Sequence, residues 1–418
     1  MPSSRAPDGS RYSLRTASDR DWRDLTRTIE LSYGGHPDPA EVHQVNKDLF
    51  EPERSLATYH RDKICATALV YSLNMTIPGG IQPIAGIGYV SVDPTHRRRG
   101  LMSEMMANIL HGLHHSGTEP VAALQPSESA IYSRLGFGAA NQVVRLEIPR
   151  KPHAFSLLPR GEDLPATIID PQTCLDEIRD VYQANVPQRA GMLHYDKRWA
   201  AKAVLDPPTA RNGAAPLQCL TVSEAGAPAG YALFTTRPQD DSPDPPLAVL
   251  VRELFATSPK AYAQLWRTLL DLDLSTTVIA HTRPLDDTLL VLLDDPRSAV
   301  PTVRDQLHVR LIDVDRALAL RTYSAEVDVV IETTDRLCEW NVGRWRIQGG
   351  PEGASCTRTT SAPDLVMSVR ELGSAYLGGI SLTQLARAGR IEEMRTGALD
   401  AACRAFRTDP LPFCSLMF

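Results

Sequence analysis

The stretch Gly88–Ser103, G-Y-V-S-V-D-P-T-H-R-R-R-G-L-M-S, contains the pattern that decides the fold of this chain. β-Branched residues are frequent over Ile84–Val92 and predict a strand. Pro94 ends that strand, because proline cannot donate a hydrogen bond to a sheet. After the turn, apolar residues recur at helical spacing and predict a helix; they are Leu101, Met102, Met105, Met106, Ile109 and Leu113.

The turn between this strand and this helix is suited to an anion. Three consecutive arginines, Arg97 to Arg99, precede Gly100 at the junction. The first N–H groups of a helix have no partner within the helix and lie at the positive end of its dipole, so they suit a pyrophosphate. Gly100 lets the backbone approach such a group closely. The alternative is a solvated basic turn, but the placement between a strand end and a helix start favours the anion site.

The composition indicates a globular protein of more than one domain. The chain has 418 residues, of which 43% are hydrophobic and 22% charged, as in ordinary soluble proteins. No apolar run reaches the length of a membrane span. The net charge of −6, from 44 basic and 50 acidic residues, argues against a nucleic-acid partner and is compatible with a cationic substrate.

The cysteines and the N-terminus predict a cytoplasmic protein. The seven cysteines are widely spaced and form no C-x-x-C pair, so we expect reduced core thiols rather than disulfides or a zinc site. The opening residues M-P-S-S-R-A-P-D-G-S contain no apolar core, so we expect a short disordered tail and no secretory signal.

The pattern of elements repeats once along the chain. The first 150 residues predict the order β-α-α-β-β-β-α-β-α-β, ending with a strand at Asn141–Ile148, and a proline-rich linker follows at Lys151–Pro165. A similar order then returns, but L-V-R-E-L-F (250–255) meets its helix through A-T-S-P-K (256–260), without the arginines or the glycine. We therefore expect a degenerate second copy and one cofactor site per chain.

From about Val300 the pattern becomes that of an α+β unit. Val309–Val314 predicts its first strand, and Cys338–Val342 with Arg344–Gln348 predicts a hairpin around Gly343. Helices are expected at Val369–Tyr376 and Gly397–Phe406.

At Arg98-Arg99-Gly100-Leu101-Met102 the sequence resembles the pyrophosphate loop of the GCN5-related N-acetyltransferases (GNAT), Q/R-x-x-G-x-G/A, with Met102 replacing the final small residue. V-D-P-T-H-R-R-R-G-L (92–101) is more specifically similar to the Eis family, which is known for acetylating aminoglycosides. L-W-R-T-L-L-D-L-D (265–273) and L-G-S-A-Y-L-G-G (372–379) extend the resemblance over nearly the whole chain.

The resemblance implies an α/β and α+β fold of tandem GNAT-like mixed-sheet domains followed by a sterol-carrier-like domain. The implied boundaries are 1–155 for the acetyl-CoA-binding domain, 156–299 for the degenerate domain and 300–418 for the C-terminal domain. The resemblance also implies a homo-oligomer, a hexamer.

Acetyl-CoA is the implied acetyl donor. Backbone groups of Val90 to Val92 would hold its pantetheine arm, although Val90 and Val92 are equally core valines. The residues implied to contact it are Val90, Ser91, Val92, Arg97, Arg98, Arg99, Gly100, Leu101, Met102, Ser103, Ser127 and Glu128.

The resemblance implies two catalytic groups at distant positions. Tyr132, in S-E-S-A-I-Y-S-R-L-G-F-G (127–138), matches the family tyrosine that protonates the coenzyme A thiolate; the alternative is a core tyrosine. The base would be the C-terminal carboxylate of Phe418, which the apolar tail L-P-F-C-S-L-M-F supports, since a solvated terminus is more often polar. The alternative is a tail packed on its own domain.

The implied substrate is a primary amine, either an aminoglycoside or a polyamine-like compound. Candidate pocket residues are Trp22, Tyr33, Tyr89 and Glu128, together with Met417, where the family often has a carboxylate. Trp22 and Tyr89 are equally compatible with a core role. A protein or peptide lysine is a second substrate class, and a non-catalytic lipid- or partner-binding protein is the alternative outside enzymology.

We expect no metal site. His111, His114 and His115 lie at the end of the predicted Leu101 helix, where histidine suits the helix dipole, and no carboxylate lies at ligand spacing.

Overall fold

The computed structural model describes residues 11–150, 163–240 and 245–418. The predicted N-terminal tail and most of the predicted linker Lys151–Pro165 lie outside the described residues. Among the described residues, every helix is too short or too polar to traverse a lipid bilayer.

The first part of the chain forms its elements in the predicted order as far as the helix that contains Tyr132, after which a two-residue strand precedes the segment predicted as the final strand. The elements are β1 (Tyr12–Thr16), α1 (Trp22–Ser32), α2 (Ala40–Asp48), β2 (Leu56–His60), β3 (Lys63–Ile77), β4 (Gly80–Val92), α3 (Leu101–Ser116), β5 (Val121–Leu124), α4 (Ser129–Ser133) and β6 (Gly138–Ala139).

The middle part contains a second set of strands and helices. They are β7 (Gln142–Pro149), β8 (Ala166–Ile169), α5 (Leu175–Asn185), β9 (Leu193–His194), α6 (Lys197–Ala203), β10 (Gln218–Glu224), β11 (Ala227–Pro238), β12 (Leu247–Ala256), α7 (Pro259–Leu270), β13 (Ser275–Pro284), α8 (Leu289–Leu292) and β14 (Val300–Asp305).

The last part is a third set. It consists of β15 (His308–Leu311), α9 (Val314–Leu320), β16 (Val327–Thr334), β17 (Gly343–Gly350), β18 (Gly353–Arg358), β19 (Leu365–Ser368), α10 (Val369–Ala375), α11 (Leu382–Arg387), β20 (Glu392–Glu393) and α12 (Ala398–Phe406).

The chain divides into two compact units. The first unit contains the residues up to Asn141, Gln306–Asp409 and Met417–Phe418. The second unit contains Gln142–Asp305 and Pro410–Leu416. The last residues therefore belong to different units although they are adjacent in sequence.

The first unit is built on a mixed sheet in the order β1-β2-β3-β4-β5-β15-β6. Three residues of the apolar stripe predicted for α3, namely Leu101, Met105 and Met106, are each at most 2% exposed and pack in the core beneath this sheet. A second sheet of the same unit, β18-β17-β16-β19-β20, carries the sterol-carrier-like part. Because α3 is anchored by this stripe, the turn before it is held at the end of β4.

The second unit has one sheet, in the order β14-β7-β13-β12-β11-β10-β8. Helix α7 buries Trp266 completely against it, within a core that includes Val249, Leu254 and Val278. The arrangement of β12, α7 and β13 parallels that of β4, α3 and β5, as the repeat in the sequence predicts.

Two strands lie in a different sheet from the one expected. Asn141–Ile148 is predicted as the final strand of the first domain, but β7 pairs with β13 and β14 in the second unit. Val309–Val314 is predicted to begin the C-terminal domain, but β15 pairs with β5 and β6 in the first sheet. The alternation of apolar residues sets which face of a strand is buried, and not which strand it pairs with.

The predicted hairpin of Cys338–Val342 with Arg344–Gln348 is also wrong. The first segment is a short 3₁₀ turn at Glu339–Asn341, and β17 instead pairs with β16 and β18. The carboxylate of Asp335 accepts hydrogen bonds from the N–H groups of Leu337 (3.0 Å) and Cys338 (3.1 Å). Such side-chain acceptors compete with strand pairing.

Candidate active site

Strand β4 contains a bulge at the point where the sequence predicts the pantetheine arm to bind. Leu69 of β3 faces Gly88, whereas Thr67 faces Ser91, so the register shifts between these pairs. Tyr89 accordingly has a φ of 48°. The Thr67 hydroxyl donates to the Tyr89 carbonyl (2.9 Å) and lies 2.8 Å from the Ser91 hydroxyl. The bulge is thus fixed by a buried side chain and redirects the end of the strand.

Strands β4 and β5 are paired over a short length only. Ala85 and Gly86 pair with Ala122 and Ala123 in parallel register, while β4 continues to Val92. Beyond Gly86, no pairing with β5 is found in the described part of the sheet. Backbone amides that lack a ladder partner need another one, so this edge can accept a ligand that carries amide groups.

The turn before α3 has the backbone geometry of an anion site. Arg98 and Gly100 have positive φ values of 61° and 80°. Gly100 is the N-cap residue of α3 and supplies no side-chain hydrogen bond to it. The first N–H groups of the helix therefore have no capping side chain and can point towards a phosphate.

The three arginines of the turn have different roles. Arg99 donates to the Tyr12 hydroxyl (2.6 Å) and to the Thr95 carbonyl (3.0 Å). Arg97 donates to the carbonyls of Val92 (3.3 Å) and Ser32 (3.2 Å). Arg98 is exposed at the tip of the turn. Arg97 and Arg99 hold the shape of the turn, and the Arg98 side chain is best placed to meet a bound anion.

Tyr132 lies on the short helix α4, and Gly136, three residues after its end, has a φ of 83°. The Tyr132 side chain is 7% exposed and stands edge-on to Phe137. Burial, and to a smaller extent the neighbouring Tyr33, raise the pKa of Tyr132 well above its ordinary value. The phenol is therefore held in its protonated form, as a proton donor requires.

Tyr33 connects several of the predicted residues. Its phenol bonds with the Ser127 hydroxyl, and burial of this end raises the pKa of Tyr33. The same phenol is close enough to raise the pKa of both Tyr132 and Tyr89. Glu128 is the N-cap residue of α4, and its side chain is exposed.

Phe418 lies against β4. A Cβ placed on Gly88 would stand 3.1 Å from the carboxyl carbon of Phe418 and 3.2 Å from its oxygen. A Cβ on Gly86 would stand 3.1 Å from the Phe418 ring. The terminal residue thus rests on two glycines of the strand, immediately before the bulge. Met417, by contrast, is 72% exposed.

Trp22 and Tyr89 line one small recess on the first unit. Asp38 and Glu30 line the same recess, and Glu30 pairs with His43 at 2.9 Å. Burial first, then the nearby Asp38, raises the pKa of Tyr89 to about 12. Aromatic faces and carboxylates together favour an ammonium group.

Sequence reasoning missed several of these residues. Gly86 and Gly88 were not singled out, although two glycines one residue apart in a strand share a face and indicate a close approach by another group. The two recess carboxylates, Asp38 and Glu30, carry no local motif and are brought to Tyr89 only by the fold.

Within the described ranges, no group of three or more histidine, cysteine or acidic residues could hold a metal ion. His114 instead stacks on Trp340, with ring centroids 3.9 Å apart, and lies 2.5 Å from a carboxylate oxygen of Asp313.

In the corresponding turn of the second unit, the N-terminus of helix α7 is capped by a side chain. The Ser258 hydroxyl accepts a hydrogen bond from the Ala261 N–H (3.1 Å), and Pro259 at the first position has no N–H. The Glu224 carboxylate lies 2.5 Å from the Ser258 hydroxyl and adds a negative charge. An anion is therefore disfavoured here, which agrees with the degenerate copy expected from the sequence.

The bulged strand, its divergence from β5 and the glycine-ended basic turn define the first sheet as a GNAT acetyltransferase fold. Family models described as an acetyltransferase (GNAT) domain match residues 13–140 and 191–311, and a sterol carrier protein domain matches residues 314–415.

Comparisons with individual proteins narrow this class to one family. The chain is 40% identical to an uncharacterized N-acetyltransferase of Streptomyces avermitilis, over 96% of this chain and 98% of the relative. It is 34% identical to the N-acetyltransferase Eis of Mycobacterium tuberculosis, over 83% and 84% of the two chains. The crystal structure of Eis1 from Mycobacterium abscessus superposes with a TM-score of 0.83 at 30% identity, covering 97% of this chain and 100% of that one. The protein belongs to the Eis-like N-acetyltransferases.

Proposed function

We propose that this enzyme transfers the acetyl group of acetyl-CoA directly to primary amines, with aminoglycosides or related amines as the preferred class and more than one acceptor position. The observation that carries the proposal is the Phe418 carboxyl at Gly88, immediately before the bulge of β4. A carboxylate there gives an incoming ammonium group a counter-charge and a proton acceptor.

The first unit fits acetyl-CoA as the donor. The edge of β4 beyond Gly86 would hold the amide groups of the pantetheine arm, and the uncapped start of α3 with Arg98 would hold the diphosphate. The donor supplies an activated acetyl thioester. GNAT acetyltransferases as a class use this donor, and the open helix start in the first unit suits it in a way that the capped start in the second unit does not.

The residues of this chain supply the proton transfers. The Phe418 carboxylate takes a proton from the substrate ammonium, directly or through water, so that the nitrogen lone pair can form the new C–N bond. As the C–S bond breaks, the electron pair stays on sulfur, and the Tyr132 phenol donates its proton there. The raised pKa of Tyr132 keeps this proton available at neutral pH. The nitrogen loses its second proton as the amide forms, and this proton returns to the Tyr132 phenolate, directly or through water. The Phe418 carboxyl then releases its proton to solvent, so the products are an acetamide, a thiol and one proton.

The recess around Tyr89 supports an amine substrate. It combines the carboxylates of Asp38 and Glu30 with the ring of Trp22. A polyamine or an aminoglycoside carries several ammonium groups, of which one can lie here while another reaches Phe418. Met417 contributes no carboxylate at the chain end, so most of the local negative charge comes from the recess and the terminus.

An acetyl-CoA consumption assay across aminoglycosides, polyamines and lysine-containing peptides tests this function. The proposal expects the highest kcat/KM with a compound that carries several amines, and a lower value with the lysine peptides. Preference for the peptides would instead establish the second substrate class, a protein lysine. Consumption with none of the three classes would contradict the proposed substrate.

By analogy with the family we also propose a cytoplasmic homohexamer. Native mass spectrometry tests the assembly, for which a mass near six times 45.9 kDa is the expected result.

A further inference from the structure

Within the second unit, both backbone polar groups of one residue of the C-terminal segment, Leu411, are hydrogen-bonded to charged side chains. The Leu411 N–H donates to Asp286 Oδ2 (2.9 Å), and the Leu411 carbonyl accepts from Arg189 Nη1 (2.7 Å). Arg189 and Asp286 are themselves an ion pair at 2.5 Å. One charged pair therefore satisfies both backbone groups of Leu411 with charge-assisted hydrogen bonds, which are stronger than neutral ones.

A second set of contacts holds the segment two residues later, at Phe413. The Phe413 N–H donates to the Ala190 carbonyl (2.9 Å). Gly191, with a φ of 88°, approaches so closely that a Cβ on it would lie 2.8 Å from the Phe413 carbonyl oxygen. Phe413 is 3% exposed and packs near Phe255. A side chain at position 191 would be both strained and in collision with the segment.

The remaining residues of the segment are mostly buried. Cys414 is fully buried and Leu416 is 6% exposed. The chain then passes through exposed Met417 to Phe418, whose carboxyl lies at Gly88. Two consecutive Cα–Cα steps span at most about 7.6 Å, so the Cα of Phe418 lies no farther than that from the Cα of Leu416.

We infer that Arg189, Asp286 and Gly191 are positioning residues that hold Pro410–Leu416 as a strap and thereby fix the Phe418 carboxyl at Gly88. Any catalytic consequence rests on the proposed function, in which this carboxyl is the base.

Access of carboxypeptidase Y to the chain end tests the strap without reference to activity. Release of Phe418 from the intact protein is followed by mass spectrometry in Arg189→Ala, Arg189→Lys and the parent. If the strap holds the chain end, we expect Phe418 to be released about tenfold faster from Arg189→Ala. The substitution removes the hydrogen bond to the Leu411 carbonyl and the ion pair that orients Asp286. Arg189→Lys, which keeps a charged donor, is expected to lie in between. Equal release in all three proteins would overturn the inference.

Arg179→Ala is the matched control. Arg179 is also an arginine of the second unit, but its ion pairs are with Asp176 and Asp180 and do not involve the C-terminal segment. Its release rate should equal that of the parent. A comparable acceleration in Arg179→Ala would mean that any lost ion pair loosens the unit, and would contradict a specific grip on the strap.

A double-mutant cycle connects the strap to catalysis. Arg189→Ala is expected to lower kcat about tenfold with an unchanged Kd for acetyl-CoA. In a chain extended by one C-terminal glycine, where the carboxyl is already displaced, the same substitution should have no further effect on kcat. An equal loss in both backgrounds would overturn the positioning role. Faster release of Phe418 with unchanged kcat would support the strap and contradict the terminal carboxylate as the base.

Discussion

The carboxyl carbon of Phe418 lies 3.1 Å from the point that a Cβ of Gly88 would occupy. The last residue of the chain therefore depends on the lack of a side chain at a strand position more than three hundred residues earlier. Gly88 is not one of the described residues that have a positive φ. Glycine is therefore required here by the close approach of Phe418 and not by the backbone conformation.

Substitution of that glycine should separate binding from turnover. In Gly88→Ala the new methyl group would also stand 3.1 Å from a ring carbon of Tyr71, so the Tyr71 ring or the terminal carboxyl must shift by a few tenths of an ångström. We expect kcat to fall several-fold, because even a small misplacement of a catalytic group is costly. Steady-state kinetics with a fixed amine measures this.

Gly112→Ala is the control for the glycine prediction. Gly112 lies inside α3, and a Cβ there would meet no atom within 4 Å. Alanine is favoured over glycine in a helix interior by about 1 kcal/mol, so activity should be kept and the melting temperature should not fall. A loss of kcat in Gly112→Ala as large as in Gly88→Ala would contradict the assignment to Phe418.

Tyr132→Phe should lower turnover about tenfold or more while leaving the Kd for acetyl-CoA nearly unchanged, because only the proton donor is removed. Burial raises the pKa of Tyr132 above its ordinary value, so we expect no loss of activity from its ionisation up to about pH 10. Tyr59→Phe, at a tyrosine of β2 that bonds Asp21, is the matched control. Unchanged turnover in Tyr132→Phe would remove this residue from the mechanism.

The arginines of the basic turn should respond differently to alanine substitution. Arg98→Ala removes an exposed charge and should raise the Kd for acetyl-CoA several-fold with an unchanged melting temperature. Arg99→Ala breaks the bonds to Tyr12 and Thr95 and should lower the melting temperature as well. Isothermal titration and thermal unfolding distinguish the two variants. A melting temperature lowered equally in both would contradict the division of roles.

Glu253 should make the stability depend on pH. Burial raises the pKa of Glu253 from 4.5 to about 7, and the Tyr231 hydroxyl lies 2.5 Å from its carboxylate. Because the folded pKa is the higher one, folding favours the protonated acid, and the free energy of unfolding falls as the pH rises from about 4.5 through 7, by at most about 3 kcal/mol.

Glu253→Gln should therefore be more stable than the parent at pH 8 and nearly equal to it at pH 5. Denaturant unfolding at the two pH values measures the difference. An advantage of Glu253→Gln that is the same at both pH values would contradict a buried carboxylate with a raised pKa.

Local patterns were sufficient to predict many of the elements and the glycine-containing turn between β4 and α3. The strand before Pro94, the helix from Leu101 and the glycine between them follow from β-propensity, helical spacing and backbone freedom, all of which are local. The loss of the phosphate turn in the second copy could also be predicted, because Ser258 and Pro259 are visible as helix-start residues.

Features that depend on distant residues could not be predicted from the same patterns. The alternation of Val144, Leu146 and Ile148 fits any half-buried strand, so it does not show that β7 pairs with β13 while β15 pairs with β5. The hydrogen bond from Arg189 to the Leu411 carbonyl joins residues 222 positions apart, and no local sequence pattern predicts that these two residues meet.

The central claim is that the Phe418 carboxylate serves the chemistry, and one added C-terminal glycine tests it most directly. The extension keeps every side chain, but it moves the negative charge of the terminal carboxylate from Phe418 to the added glycine. We predict that kcat falls about tenfold or more, as expected for loss of a positioned base, while the Kd for acetyl-CoA and the melting temperature stay unchanged. Full turnover by the extended chain would contradict the account.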